Sequence, residues 1–370
     1  MRVRAVTLRD FRNYELAELE LGEHLTVVVG SNGAGKTNLL EALCFGCTAR
    51  SPRTSNEREL VRRGRSATRV TVEFEDAERD RHMIEVGFAP GEPKRLRIDG
   101  AAVAGLAAPT QRPLVSVFLP ERLALVKGPP APRRAHVDQL LAALWPARAA
   151  ARTAYSQALA QRNALLGRVR SGAARMDALL PWERTLAAHG IELMAARREA
   201  IGLLAAPFAT SAAELGLGGG VELRYRPRSS APDRDALESE LRERRDADLE
   251  RGFTAHGPHR DDVRLLHAGE SLRSYGSQGQ QRTALLALLL AERDLLASEH
   301  GRAPLMLLDD VMSELDGERR ERLADRLTGH GQALVTATGL GHVPGVAASG
   351  ARLVEVADGS LREPAPPSRA

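Results

Sequence analysis

Lysine is almost missing from this 370-residue chain: Lys36, Lys94 and Lys127 are the only three, and arginine supplies the rest of the positive charge. Cysteine is scarcer still. Cys44 and Cys47 form one C-x-x-C with no second pair, too few ligands for a tetrahedral zinc site. Set among Leu39, Leu40, Ala42, Leu43 and Phe45, they read as two buried thiols acting as small hydrophobes. Aromatics make up 4%, which speaks against a base-stacking platform for single strands. No apolar run approaches the roughly 18 residues of a membrane span. The opening MRVRAVTLRDF has no apolar core of a secretory leader, so the expected location is cytoplasmic.

What is present describes an ordinary globular protein of about two domains, 43% hydrophobic and 27% charged. A net charge of +4 says little by itself. Clustering says more: Arg50, Arg53, Arg58, Arg62, Arg63 and Arg65 crowd one stretch, and Arg133-Arg134 form a pair. Such clusters suit a duplex phosphate backbone, with plain solvated surface as the alternative. The candidate contacts are Arg50, Arg53, Arg62, Arg63, Arg133 and Arg134.

The chain is organised around LTVVVGSNGAGKTNLL, residues 25–40. Val27–Val29 read as a strand buried on both faces. Gly30-Ser31-Asn32-Gly33-Ala34-Gly35-Lys36-Thr37 has the full G-x-x-x-x-G-K-[ST] spacing of a phosphate-binding loop, and Asn38 adjoins it. Its glycines let backbone N–H groups turn toward an anion, and the following helix adds its N-terminal dipole. Lys36 would reach the outer phosphates and Thr37 would offer its hydroxyl to Mg²⁺. A chain that writes arginine almost everywhere has kept lysine where a slim point charge fits and a planar fork does not.

Upstream, Val3–Leu8 and Ala17–Leu21 read as alternating strands around the turn Phe11-Arg12-Asn13-Tyr14, which is either a surface turn or a nucleotide contact. Thr68–Phe74, His82–Phe88 and Leu96–Ile98 suggest an antiparallel meander. Helices are expected over 133–167, 173–190, 191–215 and 233–250, with a strand at Val221–Tyr225. A buried helix is expected at Thr283–Ala297.

Leu305–Leu308 reads as a buried strand ending in Asp309-Asp310. Two adjacent acids there need a cation. Asp309 is assigned to the Mg²⁺ shell and Asp310 to polarising the attacking water, the pleat turning the two carboxylates opposite ways. Ser277-Gln278-Gly279-Gln280 opens the long helix as a second anion site. It either closes over a triphosphate held by a second copy or caps its own helix.

These motifs together resemble the RecF family of SMC-related ABC-type ATPases. SQGQQR is similar to the family's signature, LLDDVMSELD to its Walker B and D-loop, and FRNY and TAHGPHRDD to further family blocks. VFLPERLALVKGPPAPRR resembles another, and the matches run in family order from Arg4 to about Thr338. The resemblance implies an α/β ABC-type ATPase head with an inserted helical arm: residues 1–118 and 252–363 as head, 119–251 as arm, and 364–370 as a disordered tail. It implies ATP and Mg²⁺ as cofactors, and a homodimer in which Ser277, Gly279 and Gln280 of one copy touch the γ-phosphate on the other. Ser313-Glu314-Leu315-Asp316 would be the D-loop aligning the two sites, and Arg12 would approach the phosphates.

It further implies double-stranded DNA near single-strand junctions as ligand, RecO and RecR as partners, and loading of recombinase at gaps in DNA repair, replication restart and the SOS response. Two departures stand out. Ser116 occupies the place of a Q-loop glutamine, and Thr336-Ala337-Thr338 has no switch histidine, so hydrolysis should be slow, stimulated by DNA and followed by its release. The rival readings are a transporter ATPase subunit and a small-molecule P-loop kinase.

Overall fold

The computed structural model describes residues 1–106, 112–301, 303–329, 331–344 and 350–363. The expected tail, 364–370, lies outside them. The chain divides into two compact units, one of residues 1–122, 214–216 and 296–370, the other of 123–213 and 217–295.

In chain order the strands begin with β1 (Arg2–Phe11), β2 (Tyr14–Glu20) and β3 (Leu25–Val29). Then come β4 (Thr68–Glu75), β5 (Arg81–Phe88), β6 (Arg95–Ile98), β7 (Ala101–Ala102) and β8 (Val115–Phe118). The second unit holds β9 (Val221–Arg226), β10 (Asp262–His267) and β11 (Glu270–Ser271). The first resumes with β12 (Leu305–Leu308), β13 (Ala333–Ala337), β14 (Arg352–Ala357) and β15 (Ser360–Arg362).

The first unit packs a helix between two sheets. One sheet is the antiparallel meander β2-β1-β4-β5-β6-β7. The other, β15-β14-β3-β13-β12-β8, is parallel except for its β15 edge and places β3 between β13 and β14. In this second sheet the central strands β3, β12 and β13 read as apolar runs because both faces are covered. The helix Lys36–Thr48 leaves β3 and packs on strands of both sheets, burying Leu39, Leu40, Leu43 and Phe45. Gly46 permits that approach: a Cβ there would sit 2.5 Å from Val72 Cγ2. Burial also pushes the two thiols up, Cys44 to about 11 and Cys47 to about 12, as befits inert packing groups.

The second unit is helical with one small antiparallel sheet, β11-β10-β9. The expected helix over 133–167 is two, Pro130–Leu144 and Ala149–Arg170, because Pro146 cannot continue the first. The expected break at Gly190 does not occur: one 35-residue helix runs Leu180–Glu214 through both Gly190 and Pro207. Gly190 is a packing residue, its missing Cβ leaving room for Leu237 Cδ2 at 2.9 Å. Residues 233–250 form two helices, Arg234–Glu243, capped by the Asp233 carboxylate on the Ala236 N–H, and Arg245–Arg251.

Buried ion pairs hold this unit together, and the TAHGPHRDD block is their hub. Arg162 donates to Asp248 and Thr254, each at 2.7 Å, and to Glu183 at 3.1 Å. Arg197 bridges Asp138 and Asp261, and Asp261 also accepts from the Tyr225 hydroxyl and the Arg228 N–H. Gly257, at φ 125°, lies where a Cβ would meet the Tyr155 hydroxyl at 2.7 Å. These contacts, and the pairing of β10 with β9, group residues 252–295 with the helical unit. The sequence expected that stretch in the head from residue 252 onward, so the boundary lies elsewhere.

Candidate functional site

The carboxyl ends of β3, β12 and β13 converge in the first unit, where open α/β sheets bind ligands. β3 runs directly into the glycine loop. A Cβ on Gly30 would come within 2.4 Å of the Val356 carbonyl oxygen, and one on Gly35 within 2.6 Å of Asn13 Nδ2. Gly35 also has φ 120°, so glycine is required twice over. Lys36 Nζ donates to the Gly30 and Ser31 carbonyls at 2.6 and 3.0 Å, which folds the ammonium into the loop. The helix begins at Lys36 with no side-chain cap, leaving its first-turn N–H groups for an anion.

The Phe11–Tyr14 turn is part of this loop's support and is not a plain surface turn. Phe11 and Tyr14 are fully buried. Tyr14 Oη donates to the Gly35 carbonyl at 2.9 Å, and Asn13 Nδ2 to the Ala34 carbonyl at 3.0 Å. Asn38 Nδ2 donates to Asn13 Oδ1 at 2.8 Å. Arg12, in a left-handed conformation at φ 53°, places Nε and Nη2 on the two oxygens of Glu41, both at 2.9 Å. Burial works against its charge, but the hydrogen bonds and charge of Glu41 outweigh that and hold Arg12 above its ordinary value.

Thr37 and Asp309, 272 positions apart, meet here: Thr37 Oγ1 donates to Asp309 Oδ2 at 2.7 Å. Thr336 Oγ1 donates to Asp309 Oδ1, also at 2.7 Å. Neighbouring oxygens of a Mg²⁺ octahedron, each about 2.1 Å from the ion, lie about 3 Å apart, so the Thr37–Asp309 pair fits that ion. Asp310 turns away through a left-handed backbone at φ 47°, its N–H donating to Thr336 Oγ1 at 2.9 Å. Its Oδ1 is buried with no hydrogen-bond partner among the described residues. The backbone thus leaves the strand at Asp310 in a left-handed conformation, where the sequence reading relied on strand pleat.

The remaining predicted positions are placed as follows. Ser313 Oγ donates to the Asp310 carbonyl at 2.8 Å, Leu315 is buried, and Asp316 accepts from the Arg319 N–H at 3.0 Å. The Glu314 side chain lies outside the described residues. Ser116 is buried within β8, its Oγ without a hydrogen-bond partner among the described residues, so it belongs to a strand and not to a sensing loop.

In the other unit, the helix Gln278–His300 starts with a reciprocal cap. Gln280 N–H donates to Ser277 Oγ at 3.2 Å and Ser277 N–H to Gln280 Oε1 at 2.8 Å. Gln278 and Gly279 are exposed beside it, with open space where a Gly279 Cβ would stand.

Arg50 and Arg63 are exposed, and Arg62 pairs with Glu15 at 2.8 Å. Arg53 Nη1 donates to Asn38 Oδ1 at 3.0 Å and to Glu41 Oε2 at 3.2 Å. Arg134, half-buried, donates to the Asp261 carbonyl at 2.8 Å. Arg133 has to be withdrawn as a DNA contact: it is 4% exposed and committed to Asp262 at 2.8 Å and to the Gly128 carbonyl.

Sequence reasoning gave no role of their own to Thr336, Glu41 and His342. Thr336 orients both aspartates, yet a threonine on an apolar strand looks like any β-branched residue. Glu41 carried a signal, as the lone charge in the apolar run NLLEALCF. The His342 ring meets Thr338 Oγ1 at 3.1 Å, four residues beyond the tripeptide that lacks a histidine.

A family model described as the RecF/RecN/SMC N terminal domain matches residues 2–349. "DNA replication and repair protein RecF" of Acidothermus cellulolyticus is 40% identical over 343 residues, covering 89% of this chain and 91% of that protein. The chain belongs to the RecF family. The RecF protein of Streptomyces avermitilis is 39% identical over 368 residues, covering 94% and 96%. A solved structure titled "Structure of the recombination mediator protein RecF-ATP in RecFOR pathway" superposes with a TM-score of 0.89 at 28% identity, covering 98% of each chain. The architecture is thus that of an ABC-type, SMC-like P-loop ATPase head with a helical insertion, as expected for a RecF-family chain.

Proposed function

We propose that this chain binds ATP with Mg²⁺, dimerises through it around double-stranded DNA near single-strand junctions, and hydrolyses it slowly, DNA speeding the step, to let the DNA go. The observation that carries this is the Thr37 hydroxyl on Asp309 at 2.7 Å, with the next residue, Asp310, keeping a buried oxygen that has no partner among the described residues. The glycine loop and Lys36 hold the phosphates, with Ser31, Asn32, Ala34 and Asn38 lining the site. Thr37 and Asp309 hold the metal, which when bound supplies charge neutralisation between phosphates. Thr336 locks Asp309 in its rotamer. Asp310, short of a donor, accepts a hydrogen bond from the attacking water and draws off its proton.

Ser277, Gly279 and Gln280 of one copy meet the triphosphate held by the other, and Ser313–Asp316 aligns the paired sites. Arg12 lies within the phosphate support and Arg50, Arg53, Arg62 and Arg63 are the candidate DNA contacts, with Arg134 a further one. ATP shifts the monomer–dimer equilibrium by its differential affinity for the closed state. The protein would act in the cytoplasm in recombinational repair, loading recombinase at gaps with RecO and RecR. The test is duplex-DNA binding without nucleotide, with ADP and with ATP, across rising salt. Tighter, salt-sensitive binding with ATP alone is expected. Equal affinity in all three states would contradict the proposal.

A further inference from the structure

Glu41 lies in the phosphate-binding helix, one turn beyond Thr37, and is fully buried among Leu39, Leu40, Ala42 and Leu43. A carboxylate there is costly unless fully engaged. All four acceptor positions are in use: Arg12 Nε and Nη2 at 2.9 Å, Ser51 Oγ at 2.6 Å, and Arg53 Nη1 at 3.2 Å. These partners come from two separate stretches, the turn that braces the glycine loop and the arginine-rich segment after the helix.

The same two stretches are stitched by backbone. Arg12 N–H donates to the Leu60 carbonyl and Arg62 N–H to the Asp10 carbonyl, both at 2.8 Å, and Phe11 bridges Val61. Arg53 reaches Asn38 as well, and Asn38 is bonded to the Asn13 that holds the Ala34 carbonyl. An unbroken polar chain therefore runs from the loop's own backbone to segment 50–62.

We infer that Glu41 is a positioning residue that fixes segment 50–62 to the phosphate-binding helix, so that nucleotide engagement is transmitted to the arginines of that segment. This deepens the function proposed above and rests on it. Among the described residues Glu41 bonds to no side chain of the glycine loop, Lys36 or Thr37, and its effect is on the segment's order. Glutamine at this position keeps the shape but presents an NH₂ to the guanidiniums, which breaks the clip without opening a cavity.

The experiment is hydrogen exchange on the peptide covering residues 50–62, with and without ATP, in the unaltered protein and in Glu41→Gln. A fluorescent-ATP titration runs alongside on both. In the unaltered protein ATP slows exchange of the peptide. In Glu41→Gln the peptide exchanges about tenfold faster and ATP no longer changes it, as expected of a locally released segment, while ATP still binds. Ser51→Ala with Arg53→Ala removes the clip from the other side, keeps the Arg12–Glu41 pair, and gives the same loss should Glu41→Gln not fold. A full ATP response in either folded variant, or no response in the unaltered protein despite bound ATP, overturns the inference alone. Failure of the unaltered protein to bind ATP overturns the proposed function, and this inference with it.

Discussion

In the unit of residues 123–213 and 217–295, Arg162 is fully buried and faces Glu183, Asp248 and Thr254, and Glu183 is gripped again by Arg245. In the other unit, among the described residues, Asp310 keeps a buried oxygen with no partner and the Asp309 carboxylate is held by two hydroxyls. Both regions bury carboxylates. The first matches them with guanidiniums fixed by the fold, and charge there is architecture. The second does the same for Glu41, through Arg12 and Arg53, but meets Asp309 with neutral donors at a strand end, so a cation and a water can still be bound there. Left-handed Asp310 adds the backbone strain that tends to collect at functional sites.

The comparison breaks most visibly at Arg162. Arg162→Met strands Asp248 and leaves Glu183 with Arg245 alone, and should lower stability by about 3–5 kcal/mol, as removing one member of a buried pair does. Denaturant unfolding measures it; a loss under about 1 kcal/mol would mean these pairs do not hold the unit. Asp310→Asn should act in the opposite sense on stability and strongly on rate. Turnover of ATP should fall roughly 10²–10³-fold, in the range of a lost general base, while the melting temperature holds or rises. A destabilised, fully active variant would contradict the contrast.

His259 sharpens it through pH. Its ring is half-buried between the Tyr155 hydroxyl and the Thr254 carbonyl, and desolvation, foremost, lowers its pKa to about 4. The unfolded histidine protonates near pH 6.5. Between pH 6.5 and 4 the unfolded chain thus binds a proton that the folded chain does not, and stability falls as pH drops through that window. The loss should approach about 3 kcal/mol by pH 4, and His259→Gln should flatten the profile. Gly46→Ala probes the head's packing, with an expected cost of about 1–3 kcal/mol from the contact with Val72. The smallest effect belongs to Arg62→Gln at the exposed Glu15 pair. Stability should move by under about 0.5 kcal/mol, while the salt slope of duplex binding drops by about 1.

Much of the site was legible because its motifs are local. The glycine loop, Lys36, Thr37 and the Asp309-Asp310 pair each announce themselves within a few residues. Their convergence was not, since parallel pairing of β3 with β13 and β14 joins strands some 300 positions apart, and nothing in spacing encodes that register. Gly190 misled because a punctuation residue can also serve packing, and a glycine against Leu237 looks in sequence like a helix end. Arg133 looked like surface charge because its partner, Asp262, is 129 positions away. The block that resembles a family signature, GPHRDD, gave no hint in composition that its aspartates organise a buried ionic network.

The most direct test of the account is sedimentation of the unaltered protein and of Ser277→Arg with no nucleotide, ADP and ATP. The account predicts a dimer with ATP only for the unaltered protein, and a Ser277→Arg variant that binds ATP yet stays monomeric. A Ser277→Arg variant that dimerises normally with ATP, or an unaltered protein that turns over ATP as a monomer, would contradict it.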